Sequence, residues 1–433
     1  MKIPLIFSFL AALGLAGLSA APAGAETLTW KQCVEEAARV NPELNSSRER
    51  VSSSRYLTKS ARSNFFPQVA GNLGYSNSDS FNAAGTIVPT GSTFTTGNNR
   101  STFSSSLQAS QNIFNGFADK ARVNQAKANE GIASAALEGT AAKISFDLKS
   151  AFAGLQFAQS SQKLAREIIK RRKDNKDMVE LRFDSGQENK GSLLLSQANL
   201  KDAEFGSLQA KDDVKTAQHQ LAKALGRDSG DGLHVAGGIP LTSPKPPADL
   251  DAMMRDTPDY RDAVSRKKFA KETITAARSA FFPALNVNAA VGTQDDSFFP
   301  TEGAWSVGAN LSIPIFNGGR DFYNVKSAKA LDAAARFNQT DTETAVRSAL
   351  VQAYTAYEES VERLKTDQSF LEAATVRADI ARAQYNNGLL SFQDWDIIEN
   401  DLINREKAVL QSRRDRIIAE AAWEQAQGKG VLP

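Results

Sequence analysis

The tetrapeptide Ile113-Phe114-Asn115-Gly116 returns 202 residues later as Ile315-Phe316-Asn317-Gly318, and its surroundings return with it. Val123 with Ala126-Lys127-Ala128 reappears at the same offset as Val325 with Ala328-Lys329-Ala330. Arg182-Phe183-Asp184-Ser185-Gly186 likewise reappears as Gln384-Tyr385-Asn386-Asn387-Gly388. Upstream, Asn64-Phe65-Phe66-Pro67 returns as Ala280-Phe281-Phe282-Pro283, and Asn41-Pro42-Glu43-Leu44 as Thr257-Pro258-Asp259-Tyr260, both 216 residues on. A fixed period of this kind is the signature of a repeat architecture, so the chain reads as an internal duplication. The offset falls by 14 between the two sets of landmarks, which gives the first copy 14 extra residues between Pro67 and Gly116. They fall in Asp79 to Asn99, a stretch rich in Gly, Ser, Thr and Asn that reads as a loop.

Between the FFP and IFNG landmarks each copy alternates with period two. Val69, Gly71, Leu73 and Tyr75 oppose Gln68, Asn72 and Ser76; Phe103, Leu107, Ala109 and Ile113 oppose Ser104, Ser106, Gln108, Ser110 and Asn112. In the second copy Leu285, Val287, Ala289 and Val291 oppose Asn286 and Asn288, and Trp305, Val307, Ala309, Leu311 and Ile313 oppose Ser306, Gly308, Asn310 and Ser312. This predicts four half-buried strands, at 67–78, 101–115, 284–293 and 304–315. The polar face carries Ser, Asn and Gln with almost no charge, and Trp and Tyr sit near strand ends as an interfacial girdle would. Four strands are too few to close a barrel, and open edges are not tolerated in lipid. Strands of this kind in a membrane must be pooled by several chains; otherwise they are hairpins on a soluble core.

The rest reads as long helices. There is no proline from Thr90 to Ile239 or from Ile315 to Leu432, and Gly116 to Gly186 and Gly318 to Gly388 each span 70 residues. That length is about 105 Å of helix at 1.5 Å per residue. Ala, Gln, Lys, Glu, Leu and Arg dominate, all good helix formers. Ile144, Leu148, Ala151, Leu155 and Ala158 mark a coiled-coil-like seam without a strict heptad. Gly186 and Gly388 mark turns from which a second helix runs back. The organisation is therefore a first repeat over 26–225, an irregular linker over 226–258 with Pro244-Lys245-Pro246-Pro247, and a second repeat over 259–433.

Residues 1–25 read as a secretory signal peptide: Lys2, an apolar Ile3 to Leu18, and Ala23-Gly24-Ala25 before Glu26. No cysteine stands at that cleavage point, so no lipoprotein anchor is expected. No later stretch is apolar enough for a membrane helix. Charge is balanced, 51 basic against 49 acidic residues, so nucleic acid is not an expected partner. Cys33 is the one cysteine and is expected to be a buried small side chain; His219 and His234 are the two histidines. Met253-Met254 is expected to pack rather than bind metal. No Ser-His-Asp set, metal cluster, phosphate loop or paired carboxylate occurs, so neither an enzyme nor a cofactor is expected.

The landmarks in their order, twice over behind a signal peptide, resemble the TolC-like outer membrane efflux protein family over nearly the whole mature chain. The resemblance rests on the helix-to-strand Phe66-Pro67 and Phe282-Pro283, the strand-to-helix Gly116 and Gly318, and the aromatic-x-x-Gly turns. It implies a mainly α fold with a membrane β-barrel. Long helical hairpins and four strands per chain would pool into a 12-stranded barrel in a homotrimer. It further implies a passive export duct in the bacterial outer membrane, carrying drugs, small molecules or polypeptides. Its partners would be outer-membrane lipid, a periplasmic adaptor (membrane fusion) protein and an inner-membrane pump of RND or ABC type. Arg182, Phe183, Gly186, Gln384, Tyr385 and Gly388 would form the tips that dock the adaptor, although an ordinary left-handed turn also calls for such glycines. The family's entrance carboxylates, six and nine residues after the second tip glycine, correspond to Asp394 and Ile397; Asp394, with Asp396 nearby on another helical face, would form the periplasmic gate. Asp394 also suits a helix N-cap, and its counterpart in the first copy is Ser192. Lys170-Arg171-Arg172-Lys173 wraps its helix and is expected to be solvated. The competing reading is a periplasmic coiled-coil scaffold without a pore.

Overall fold

A computed structural model describes residues 26–80, 98–295, 298 and 303–432. The expected signal peptide and most of the expected first loop lie outside the described residues. The chain divides into two compact units. One takes the described part of Met1–Ala37 with Ala151–Pro240 and Phe370–Arg414; the other takes Ala38–Ser150, Leu241–Ser369 and Asp415–Pro433. Four helices run through both: α1 (Trp30–Val40), α3 (Ala118–Asp184), α7 (Arg320–Asn386) and α8 (Phe392–Ala426). α3 and α7 have 67 residues each, about 100 Å of continuous helix. Among the described residues no helix is long and apolar enough to cross a membrane.

The second unit holds a four-stranded antiparallel sheet in the order β2–β3–β5–β6: Gln68–Ser80, Asn98–Asn115, Ala284–Asp295 and Gly303–Ser312. The helices α2 (Pro42–Arg62) and α6 (Pro258–Arg278) lead into it. Each ends in a 3-10 turn, after which Phe66 (φ −118°, ψ 151°) and Phe282 (φ −102°, ψ 152°) are extended. The following prolines impose this, because a residue before proline is pushed out of the helical region. The ladder pairs Tyr75 with Phe103, Leu107 with Val291, and Val291 with Trp305. The apolar residues of the pattern thus share one face and Ser, Asn and Gln the other. The sequence suggested a half-buried sheet. Instead the apolar face is open, with Leu73 89%, Trp305 78% and Val307 67% exposed. β2 and β3 also run further than the alternation indicated, pairing Ser80 with Asn98 inside the stretch read as loop. Backbone pairing extends there without apolar residues to signal it. β6 stops at Ser312 rather than 315, immediately before Ile313-Pro314, where proline has no N–H to donate.

In the same unit α5 (Leu250–Asp256) buries Met254 against Val346 and Leu350. The segment before α5 is pinned at Thr242, whose carbonyl accepts from the Tyr357 hydroxyl at 2.6 Å. The buried Glu420 carboxylate accepts from the Thr242 hydroxyl at 3.0 Å.

The first unit contains α4 (Lys190–Leu225), the N-terminal part of α8 (Phe392–Ala426), and a two-stranded parallel sheet, β1 (Glu26–Thr29) with β4 (Leu233–Ala236). β4 and α5 correct the reading of 226–258 as wholly irregular. Arg227 ties β1 to α1 by bonding Glu26 and Glu36. Cys33 is buried, and its thiol is raised to about 11, first by burial and then by the Glu36 charge. Since the thiolate is the nucleophile, a maleimide at pH 7.5 is expected to leave native Cys33 unmodified. It should label Cys33 fully in denaturant. Labelling of the native protein would contradict this placement.

Candidate functional site

The tips are helix-capping turns of one design. Gly186 (φ +72°) closes α3, with its N–H donating to the Phe183 carbonyl and Gln187 N–H to that of Arg182. Gly388 (φ +73°) closes α7 in the same way onto Tyr385 and Gln384. A side chain with a β-carbon is strained at such φ, so glycine is the residue that permits the paired carbonyl satisfaction. α4 then opens on Asn189, whose side chain accepts from Ser192 N–H at 3.0 Å. α8 opens on Ser391, which accepts from Asp394 N–H at 3.1 Å and donates to the Asp394 carboxylate at 2.6 Å. Asp394 is therefore not the N-cap that its position suggested. Ser391 is the cap, and Asp394 completes a reciprocal capping pair as the third residue of the helix. It is exposed, as is Ile397 three residues on.

Of the six expected docking residues, Gly186, Gln384 and Gly388 are exposed and Phe183 is partly so. Arg182 and Tyr385 are instead brought together. The Arg182 guanidinium lies 4.7 Å from the Tyr385 ring centre and donates to the Tyr385 carbonyl. Tyr385 is 1% exposed, stacked on Trp395 at 4.4 Å with rings inclined by 16°, and its hydroxyl donates to Glu188 at 3.1 Å. Burial, then the Glu188 charge, drives its phenol well above the usual tyrosine range. Val179, Ala381 and Phe392 complete this cluster. Cation–π and stacking contacts each contribute about 0.5–2 kcal/mol when desolvated. The two turns are consequently locked to each other through a core that the sequence analysis did not name. The one available signal was Phe392 and Trp395, three apart beside a tip.

The two aspartates have different surroundings. Asp396 accepts from Arg172 at 3.0 Å, Asn199 at 2.9 Å and Asn400 at 3.0 Å. Arg172 and Asp396 side chains are 7% and 13% exposed. Arg171 makes a two-pronged pair with Glu406. The basic run is thus not uniformly solvated. Lys170 and Lys173 are exposed, but Arg171 and Arg172 turn onto α8, because four consecutive residues on a helix point in four directions. A further charge pair, Arg382 with Glu399 at 2.6 Å, buries the carboxylate to 1% exposure.

The junction residues form a separate cluster in the unit that carries the sheet. Gly116 (φ +65°) abuts the Ser279 carbonyl so closely that a β-carbon there would lie 2.6 Å from the oxygen and 2.7 Å from Phe282 Cβ. Phe117 packs its ring edge-on to Phe282 at 6.1 Å. Asp119 gathers Asn64 (3.0 Å), Asn112 (2.8 Å) and Arg122 (3.1 Å) around the start of α3. Gly318 (φ +64°) has no such neighbour within 4 Å among the described residues, and Phe66 is 65% exposed.

The profile of the outer membrane efflux protein family matches residues 33–227 and 252–429. The probable outer membrane lipoprotein SilC of Salmonella typhimurium is 25% identical over 284 residues, 64% of this chain and 61% of that protein. The cation efflux system protein CusC of Escherichia coli strain K12 is 22% identical over 64% of this chain and 62% of its own. The chain thus aligns with about three fifths of the length of these curated relatives. In fold it is similar to the outer-membrane channel OprN, with a TM-score of 0.81, 21% identity, and coverage of 93% of this chain and 90% of that one. With the family profile matched on both sides of residues 228–251, the chain belongs to the outer membrane efflux protein family.

Proposed function

We propose that this chain is one third of a passive export duct in the bacterial outer membrane. Three copies would each give β2, β3, β5 and β6 to one 12-stranded barrel, and each copy is built of two related repeats. The observation that carries this reading is the sheet. Its odd-numbered face is mainly apolar and open, its even-numbered face is polar with almost no charge, and among the described residues β2 and β6 are the edge strands. Free edges do not persist in lipid, whereas a closed, even-numbered barrel has none. The apolar face would then meet lipid and the Ser, Asn and Gln face a water-filled lumen. A scaffold without a pore has no use for such a sheet.

The duct would take drugs, other small molecules or polypeptides from an inner-membrane pump of RND or ABC type through a periplasmic adaptor. It would do no chemistry of its own. Phe183, Gly186, Gln384 and Gly388 would present the surface met by the adaptor, while Arg182 and Tyr385 hold that surface in shape. Asp394 is exposed and uncompensated by a basic partner in its capping pair, so three copies would ring the entrance with negative charge. Asp396 gives its charge to Arg172 and serves the packing of the helices.

Purified protein in a planar bilayer is expected to give discrete, cation-preferring conductance steps. Asp394→Asn is expected to lower the cation preference without abolishing the steps. An unchanged preference would remove Asp394 from the gate, and the absence of any steps from parent protein would remove the duct.

A further inference from the structure

The helical end of the sheet carries an uneven charge. The last seven residues of α2 and α6, 56–62 and 272–278, and the first seven of α3 and α7, 118–124 and 320–326, adjoin the strands. These segments hold seven cations and three carboxylates. Lys59, Arg62 and Arg278 stand where helices enter the sheet, and Lys120, Arg122, Arg320 and Lys326 where helices leave it; all seven are exposed. The carboxylates are withdrawn: Asp119 is 6% and Asp321 9% exposed, and Glu272 is partly buried. Asp119 and Asp321 pair with Arg122 at 3.1 Å and Arg320 at 3.5 Å. Among the described residues the other five cations form no ion pair. The strands themselves carry Asp79, Arg100 and Asp295 as their charges, all towards the opposite end.

Two of the lysines lie over exposed rings. Lys59 Nζ is 5.4 Å from the ring centre of Tyr56, which is 67% exposed, and Lys326 Nζ is 4.5 Å from that of Phe322, which is 52% exposed. An apolar stem and ring with a cation at the tip suits a side chain that straddles a bilayer boundary. Here the pairs fall where the open apolar face of the sheet ends. Resting on the proposed placement of that face in lipid, we infer that this collar binds the phosphodiester groups of anionic phospholipids in the adjoining, periplasmic leaflet. The guanidinium forks of Arg62 and Arg278 match phosphate oxygens, and the lysines supply point charge. Each Lys or Arg beside an anionic surface gains about a fivefold preference. An acidic soluble protein would be served by cations on one exposed face. Cations on four helices at one level, interleaved with exposed rings and bordering an apolar face, suit a bilayer surface instead.

The test uses the purified protein, reconstituted into vesicles of phosphatidylcholine alone and of phosphatidylcholine with phosphatidylglycerol in equal parts. Protein recovered by flotation is extracted in mild detergent, and the lipid that stays with it is identified by native mass spectrometry. Phosphatidylglycerol is expected to be enriched over phosphatidylcholine at least about fivefold, and the enrichment should fall in high salt, as exposed charge contacts do. Lys59→Gln, Arg62→Gln, Arg278→Gln and Lys326→Gln together should bring the retained lipid to the composition of the vesicles, with flotation unchanged. Lys201→Gln, Lys211→Gln, Lys215→Gln and Lys223→Gln together, on exposed positions of α4, remove the same charge elsewhere and should keep the enrichment. Enrichment that survives the first set, is lost with the second, or ignores salt would overturn the collar. So would a parent protein with no preference, which would turn these cations to solvent or to an acidic protein. Parent protein that floats with neither vesicle would overturn the placement of the sheet in lipid, and the collar with it.

Discussion

Asp396→Ala is expected to destabilise the helices beside the tip by about 3–5 kcal/mol, the usual penalty for stranding a buried charge. Arg172 is 6% exposed and has Asp396 as its carboxylate partner, with Asn400 as a neutral acceptor. Removing the carboxylate leaves a guanidinium with neither water nor counter-charge. It also frees Asn199, which donates to the same oxygen. Two comparisons separate charge from shape. The paired replacement Arg172→Met with Asp396→Leu should recover most of the loss, because both desolvation costs vanish together. Ile397→Ala, next along the helix but 58% exposed, should change stability by less than about 0.5 kcal/mol. The readouts are the thermal midpoint of the detergent-extracted protein and its cleavage near the tip under limited proteolysis. Asp396→Ala with an unchanged midpoint would contradict the buried pair.

The second large effect concerns Gly116. A valine there meets a positive φ that costs L residues about 1–2 kcal/mol. Its Cβ would also fall 2.6 Å from the Ser279 carbonyl and 2.7 Å from Phe282 Cβ, an overpacking worth about 1–3 kcal/mol more. Gly116→Val should therefore cost about 2–5 kcal/mol and deplete folded protein from the envelope. Gly318→Val, at nearly the same φ, carries the backbone strain but meets no atom within 4 Å among the described residues. It should therefore leave more folded protein in the envelope than Gly116→Val does. Equal behaviour of the two valine variants in chain folding would contradict the asymmetry.

Much of this was legible in the sequence. Pro67 and Pro283 placed the helix-to-strand breaks, Gly186 and Gly388 placed the turns, and the alternation from Val69 to Tyr75 placed the apolar face of the sheet. Pattern failed where structure depends on partners distant in sequence. β1 and β4 have four residues each, too few for alternation to register. Arg171 and Arg172 looked solvated because a charge run says nothing about the α8 carboxylates that meet it. Asp396 looked like a spare gate residue until Arg172, 224 positions away, was placed beside it. Tyr385 looked like a docking residue because its aromatic-x-x-Gly spacing is visible, whereas Trp395 stacking on it is not. The strands were read correctly in pattern, but not in burial: their apolar face is open among the described residues.

The central claim is that the open sheet is closed by copies of the same chain. It is tested most directly by the native mass of the protein extracted in mild detergent from the outer-membrane fraction. The account predicts a trimer in that fraction. A monomer or dimer recovered from the soluble periplasm would leave β2 and β6 unpaired in water and contradict it.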